Sequence, residues 1–336
     1  MLVGFMRNYR KPLKLARLVA KMSKCNNVDL VYFTAADIDI NRKKINGKIL
    51  VNDKWITKEV GIPAFIDISA LCFKYKEEVQ FLRENSILST ERLPSKYKVD
   101  KKIKRDGEFS HLIIPSGTFT NFNDFHEFLE HHVQIVLKPK NGQKGEGIYM
   151  LSKNESDYTL SYKNDETQIS KEVLENFFEE EINKEKYIFQ KFINSRSKTG
   201  DPFDCRIRLE KNGNGKWGVA INLVRIGTGQ KVVSNVSQGG SVNKLNSFLR
   251  NNFEDKQDVI KTRIVDLAKT FPYKLERLFN RRFTSLGLDI GIDRDGNLYL
   301  FEINTAPGDE FALGEIALLK SEYYDYMLNK AYKRAN

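Results

Sequence analysis

The chain has 336 residues, of which 40% are hydrophobic and 11% aromatic, and a formal net charge of +11. That length excludes a single small module and suits two or three domains, each with enough apolar material for a core. The basic balance points to anionic partners, such as nucleotides, phosphorylated substrates, nucleic acid or an acidic surface, without choosing among them.

In chain order, Leu2-Val3-Gly4-Phe5 reads as a buried strand. Pro12 to about Lys24 reads as a helix, with Pro12 in its first turn and Leu15, Leu18, Val19 and Met22 at helical spacing. Asp29–Phe33 is a second strand, so the N-terminal part is a βαβ unit and a small α/β layer, with further strands near 45–51 and 62–68. Residues 74–86 are helical in pattern. The basic stretch from Arg92 to Arg105 holds Lys96, Lys98, Lys101, Lys102 and Lys104, and reads first as a solvated linker or helix face. From residue 110 the pattern becomes α+β. A helix at 121–132 precedes a strand at 134–138, a glycine-rich turn and a strand at 147–152. A helix at 171–182 and a strand at 187–193 follow. Cys205–Glu210 and Trp217–Arg225 form a hairpin, 255–283 one or two helices, 286–292 and 298–304 strands, and 321–333 a closing helix. The expected units are 1–95, 96–195 and 196–336.

Cys25, Cys72 and Cys205 are scattered and odd in number, which argues against a disulfide framework or a cysteine metal site and fits a reducing cytosol. His126, His131 and His132 do not share one helix face and read as surface groups. No signal peptide is visible and no apolar run approaches membrane-spanning length, so a soluble, cytoplasmic protein without a membrane partner is expected.

The strongest local signal is Gly287-Leu-Asp-Ile-Gly-Ile-Asp-Arg-Asp-Gly-Asn-Leu-Tyr-Leu-Phe-Glu-Ile-Asn304. Asp295-Gly296 between alternating apolar runs is a hairpin cue. With those two residues as the loop, Arg294 pairs with Asn297, and the ladder sets Asp289 opposite Glu302. Opposed residues share a face, and Asn304 lies two residues on from Glu302 on that face. Two carboxylates facing each other cost stability unless a positive charge lies between them, and Mg²⁺ takes such oxygen ligands together with phosphates and water. The competing reading is a solvent-facing edge hairpin.

A second signal is Val136-Leu-Lys138-Pro139-Lys140-Asn-Gly142-Gln-Lys144-Gly145-Glu-Gly147, a strand, a lysine and a loop with three glycines. Glycines let backbone N–H groups approach phosphates, and Lys138 can reach the same anion as a point charge. A plain hairpin turn is the alternative. The segment is neither a Walker A loop nor a dinucleotide fingerprint.

The order of these pieces resembles the ATP-grasp superfamily, over about Lys101 to Gly308. The closer resemblance is to the YheC/YheD type of endospore coat-associated ATP-grasp proteins. It rests on the Lys-Pro-x-Asn-Gly loop, Phe203-Asp204-Cys205-Arg206, and Ser234-Asn235 followed by Gly239-Gly240. The resemblance implies an α/β domain ahead of an α+β ATP-grasp fold with antiparallel sheets. It implies that Lys101, with Lys102 as fallback, and Lys138 contact phosphates. Gly142, Gly145 and Gly147 would fold over the phosphates, and Gln190, Lys191 and Ile193 would form the adenine hinge; many relatives carry glutamate where Gln190 stands. Arg225 would grip the transferring phosphate, with Asn235 beside it; Arg206 and Arg208 alternate with Ile207, so both can face one side and meet an anion, and Arg206 is counted among the catalytic residues. Asp201 or Asp204 would hold the ribose, and Asp289, Glu302 and Asn304 would hold Mg²⁺.

The implied cofactors are ATP and Mg²⁺. The implied reaction is ligation of a carboxylate to an amine through an acyl phosphate, by positioning and electrostatics without a cysteine or histidine nucleophile. Expected partners are a small-molecule carboxylate and amine, among them amino acids or peptides. A homodimer is left open, nucleic acid ranks low, and the resemblance adds a spore link to the cytoplasmic location. A non-catalytic coat scaffold and a phosphotransferase are the rival functions. Asp309 and Glu310 either meet the amine or cap the closing helix.

Overall fold

The computed structural model describes residues 1–139, 147–163, 165–183, 187–227 and 240–335, with side chains through Lys333. Strand β1 (Leu2–Met6), helix α1 (Lys14–Cys25) and strand β2 (Asp29–Phe33) form the expected βαβ unit, in parallel register with Val3 opposite Leu30. The helix starts at Lys14, so Pro12 stands just ahead of it. Strands β3 (Ile38–Asp39), β4 (Lys44–Val51) and β5 (Lys54–Gly61) add an antiparallel edge. The β4–β5 turn holds Asn52 at φ 46° and Asp53 at φ 63°, the left-handed pair that a tight hairpin needs. Strand β6 (Phe65–Ile68), helix α2 (Lys76–Asn85) and strand β7 (Ile87–Leu88) complete a mixed sheet of order β3-β4-β2-β1-β6-β7, with β5 on β4.

Helix α3 (Lys96–Asp106) occupies the basic stretch. Its only fully buried side chains, Val99 and Ile103, pack into the core of the C-terminal sheet, although the segment was expected to open the middle unit. A second sheet follows, of order β12-β11-β10-β9-β13-β8. It comprises β8 (Ser116–Gly117), β9 (Gln134–Pro139), β10 (Tyr149–Lys153), β11 (Tyr158–Tyr162), β12 (Asp165–Ile169) and β13 (Tyr187–Lys191), all antiparallel. Helices α4 (Phe122–His132) and α5 (Lys171–Phe177) cover it through Phe122, Phe125, Leu129 and Leu174. The β11–β12 hairpin was not foreseen; its exposed strand carries Asp165, Glu166 and Gln168, not an apolar run.

The third sheet, of order β16-β15-β14-β17-β18, is antiparallel. It is built from β14 (Phe203–Lys211), β15 (Trp217–Ile226), β16 (Ser241–Lys244), β17 (Ser285–Ile292) and β18 (Leu298–Asn304). One face, with Cys205, Ile207, Leu209, Val224, Leu288 and Ile290, is buried under helices α6 (Leu245–Phe253) and α7 (Gln257–Phe279). Helix α8 (Leu313–Ala335) starts eight residues earlier than the 321–333 expected and bridges two sheets, with Ile316 packed against Ala220 of β15 and its later turns on the first sheet. Ala317, Tyr323, Tyr324, Met327 and Leu328 lie in one core with Val3, Phe5, Val19 and Phe65.

Candidate functional site

The uncovered face of the third sheet carries the chemistry. Strand registers set Lys244 opposite Leu223, Leu223 opposite Arg206, Arg206 opposite Asp289, and Asp289 opposite Glu302. Opposed residues share a face, so these five form one row across five strands. Beside it run a second row, Asn304–Gly287–Arg208–Ile221, and a shorter one, Asp204–Arg225–Val242.

Asp289 and Glu302 therefore face each other as expected, but by a different route. The turn is longer: Asp293 N–H donates to the Asn297 carbonyl and Gly296 N–H to the Asp293 carbonyl, with Gly296 at φ +81°. This is a three-residue loop ending in a left-handed glycine. It sets Ile292, not Asp293, opposite Leu298. The register then shifts between Asp289 and Ile290, with Phe301 as the extra residue, and the slip is cancelled. Gly291 makes room: a Cβ there would lie 2.2 Å from Phe301 Cζ.

Asp289 is buried and bound by two guanidiniums. Arg206 donates from Nε and, at 2.8 Å, from Nη2; Arg225 Nη2 lies 2.9 Å away. Arg225 also grips Asp204, at 2.7 Å from Nε and 2.8 Å from Nη2. Burial alone would lower the Arg225 pKa, but the Asp204 and Asp289 carboxylates outweigh it and hold it above the ordinary value. Asp204, one of the two ribose candidates, has both oxygens on Arg225 and so fixes that guanidinium, as Asp289 does for Arg206. Asp201 sits in the turn after β13, accepting from Thr199 Oγ1 at 2.8 Å. Glu302 is exposed on the cleft side, and Asn304 Oδ1 accepts from Ala306 N at 2.9 Å, which ties it to the loop that follows.

The second sheet supplies Lys138, at the end of β9, with Nζ donating to Gln190 Oε1 at 3.0 Å. Burial, and then the neighbouring Lys96, push its pKa down to about 7, against the opposing pull of Glu302 and Asp100. Lys96 is the residue that sequence reasoning missed. On α3, Lys96, Val99, Asp100 and Ile103 stand at i, i+3, i+4 and i+7 and share the inward face. Lys96 Nζ donates to the Phe301 carbonyl, at the bulge itself. Lys101 is roughly 140° further round the helix. Its side chain is exposed, and Lys102 lies 4.8 Å over the Phe279 ring. Neither is brought to the cleft. The periodicity of Val99 and Ile103 was the available signal, since it selects Lys96.

Among the hinge residues, Lys191 N–H is taken by Pro115 and the Ile193 carbonyl accepts from Ser195 N at 2.8 Å. Gly147 has φ +68° and begins the descent into β10. Gly142, Gly145 and Asn235 lie outside the described residues. Burial raises the Cys72 thiol to about 11 and pushes Cys205 up as well, so neither offers a thiolate.

Asp309 and Glu310 precede α8, whose first-turn acid is Glu315, so they do not serve as first-turn groups. They line a cavity of about 190 Å³ with Arg206, Arg208 and Arg225. The wall behind is a buried ionic chain that the sequence did not announce. Arg7 pairs with Asp67 at 3.0 Å, Asp67 with Lys320 at 2.8 Å, and Lys320 with Glu210 at 3.3 Å. Glu210 holds Arg208, which donates to the carbonyls of Pro307 and Gly308. Arg206 and Arg208 face one side as expected, yet Arg208 meets a protein carboxylate and the loop. Burial opposes ionisation of Asp67, but Lys320 and Arg7 prevail and hold its carboxyl well below the usual range.

A family model described as YheC/D like ATP-grasp matches residues 86–331. The chain belongs to the YheC/D-like ATP-grasp family. Endospore coat-associated protein YheC of Bacillus subtilis is 24% identical over 328 residues, spanning 93% of this chain and 90% of the relative. Solved structures with the ATP-grasp fold superpose along the whole chain. D-cycloserine synthetase DcsG gives a TM-score of 0.52 at 11% identity, covering 96% of this chain and 99% of that one. D-alanyl-alanine synthetase A from Vibrio cholerae gives 0.52 at 12% identity, covering 99% and 97%. For an ATP-grasp chain the donor set is chemically apt for Mg²⁺. Asp289 and Glu302 are two hard carboxylates on one face with an amide beside them; Asp289 shares its oxygens with Arg206 and Arg225, Glu302 is open to the cleft, and no cysteine or histidine stands with them among the described residues.

Proposed function

We propose that this ATP-grasp protein is an ATP-dependent ligase that activates a carboxylate as an acyl phosphate and passes it to an amine. The observation that supports it most is convergence on one cleft. Lys138, on the second sheet, stands on one side of it. The row of Arg206, Asp289 and Glu302, with Arg225 beside it and Lys96 bonded at its β18 end, stands on the other.

The roles follow from placement. Lys138 and Lys96 meet the nucleotide phosphates, with Lys96 taking the part the resemblance gave to Lys101. Asp289, Glu302 and Asn304 would hold Mg²⁺, which when bound neutralises phosphate charge. Arg206 and Arg225 are fixed by Asp289 and Asp204 and face the phosphoryl group in flight, so little reorganisation accompanies the reaction. A carboxylate oxygen attacks the γ-phosphorus, the bond to the β-phosphate oxygen breaks, and ADP leaves. The amine then attacks the acyl carbon, phosphate leaves, and the amine proton passes to Asp309 or solvent. A site of this kind works by positioning and charge.

The test is ADP release with hydroxylamine as amine and candidate carboxylates as donors, followed by colorimetric hydroxamate. Hydroxamate formation carries the ligase reading. ADP release with a stable phosphate ester instead would make the protein a phosphotransferase, and nucleotide binding without turnover would make it a scaffold. The coat association in the relative's name suggests the same setting for this chain, and fractionation of spores would check it.

A further inference from the structure

The row of side chains does not stop at the arginines. It continues through Leu223 to Lys244 on the edge strand β16. The inner cavity of about 190 Å³ shares Ile221, Leu223 and Phe311 with an adjoining groove of about 740 Å³. That groove runs past Val242 to Lys244, Asn246 and Lys261. Phe311 is 47% exposed and Val242 38%, so an apolar strip lies open between two polar ends. Lys244 and Lys261 are exposed, and neither has an ion-pair partner among the described residues.

The two ends differ in kind. At the inner end Arg206 and Arg225 are locked by carboxylates and keep Nη1 atoms without a hydrogen bond among the described residues. A side chain at 287 would crowd this end, since a Cβ there lies 2.7 Å from Pro307 Cβ. At the outer end the two lysines have no ion-pair partner among the described residues. Strands lie about 4.8 Å apart, so Lys244 is roughly 14 Å from Asp289, and an extended chain at about 3.3 Å per residue spans that with about four residues. A free amino acid reaches only the first step.

We infer that the carboxylate activated at this site is the C-terminal carboxylate of an acidic peptide. The inference rests on the ligase reading. The terminal residue enters the smaller inner cavity toward Arg206 and Arg225. Apolar side chains lie on Leu223, Ile221 and Phe311. Acidic side chains of the third and fourth residues from the C-terminus meet Lys244 and Lys261. Charge complementarity selects the sequence and the apolar strip supplies contact area. The attacking carboxylate oxygen, the departing ADP and the incoming amine are those of the ligase step.

The experiment uses the full chain and three probes, each with MgATP and hydroxylamine. They are N-acetylated Glu-Glu-Ala-Leu, N-acetylated Lys-Lys-Ala-Leu, and free leucine. The acidic tetrapeptide is expected to give ADP release and hydroxamate with the lowest KM. The Lys244→Glu/Lys261→Glu double variant is expected to raise that KM roughly tenfold with kcat held, and to favour the basic tetrapeptide instead. ADP affinity by calorimetry should not move, because neither lysine touches the nucleotide side. Phe311→Ala should raise KM for both tetrapeptides. Equal turnover of all three probes, with no response to charge reversal, would overturn the inference and leave the ligase reading intact. If no probe is turned over, the ligase reading falls, and the groove is judged separately by fluorescence anisotropy of the labelled acidic peptide with ADP present. Binding lost on charge reversal supports the peptide site, and absence of binding overturns it. A dimer by sedimentation that Phe311→Glu dissociates also overturns it, by assigning the groove to a second copy.

Discussion

The two walls of the cleft handle charge in opposite ways. On the third sheet every buried charge has a partner of the other sign: Asp289 and Asp204 with Arg206 and Arg225, Glu210 with Arg208 and Lys320. On the facing wall Lys138 has a neutral amide for its hydrogen bond and a second lysine nearby. Paired buried charges hold geometry, because removing one partner strands the other. An under-compensated lysine has potential left for an incoming anion. One wall sets shape and the other draws the nucleotide in.

That contrast can be broken most severely at Asp289. Asp289→Asn removes an oxygen of the proposed Mg²⁺ site and loosens both arginines, and turnover should fall by about a thousandfold or more. Circular dichroism checks that the fold persists, and ADP release at near-normal rate would sink the metal assignment. The next largest effect is expected at Lys96. Lys96→Ala should cut kcat/KM for ATP on the order of a hundredfold, measured by steady-state kinetics. A loss at Lys101 instead would restore the reading that the sequence suggested. A third effect is a pH dependence. The Lys138 ammonium is favoured below about 7, so ADP affinity should fall roughly tenfold between pH 6 and pH 8. In Lys138→Met that component should vanish in calorimetry. The same lowered pKa means the unfolded chain holds more protons than the native one between about 7 and 10.5, so this lysine makes stability rise with pH there. The smallest effect is at Lys101, where Lys101→Ala should change kinetics less than about twofold, as befits an exposed side chain.

How far the sequence could be read differs between these regions for physical reasons. Strand pairing is local and has period two, so the facing of Asp289 and Glu302 was visible in the residues themselves. It was reached through a turn one residue too short, and the bulge at Phe301 hid the error. No residue pattern announced that bulge beyond Gly291. The fold class followed from element order and the family resemblance. The lysine of α3 was misjudged because a run of cations marks no face; only Val99 and Ile103 do. The buried chain from Arg7 to Arg208 joins residues far apart in sequence, and Asp67 and Lys320 look like surface charges until the sheets are packed. Asp204 pairs with Arg225 across a strand register that only the folded sheet defines.

Helix α8 has a consequence for how the molecule comes into being. The first sheet is made early, yet the core over Val3, Phe5 and Phe65 needs Tyr323, Tyr324, Met327 and Leu328, and Asp67 waits for Lys320. Domains of a growing chain ordinarily fold in order of emergence. Here the sheet that emerges before the other two is among the last to finish, and the wall behind the cleft is not assembled until helix α8 arrives. A ribosome stalled before residue 313 would release a nascent chain with an open apolar sheet face, a ready substrate for chaperones and proteases.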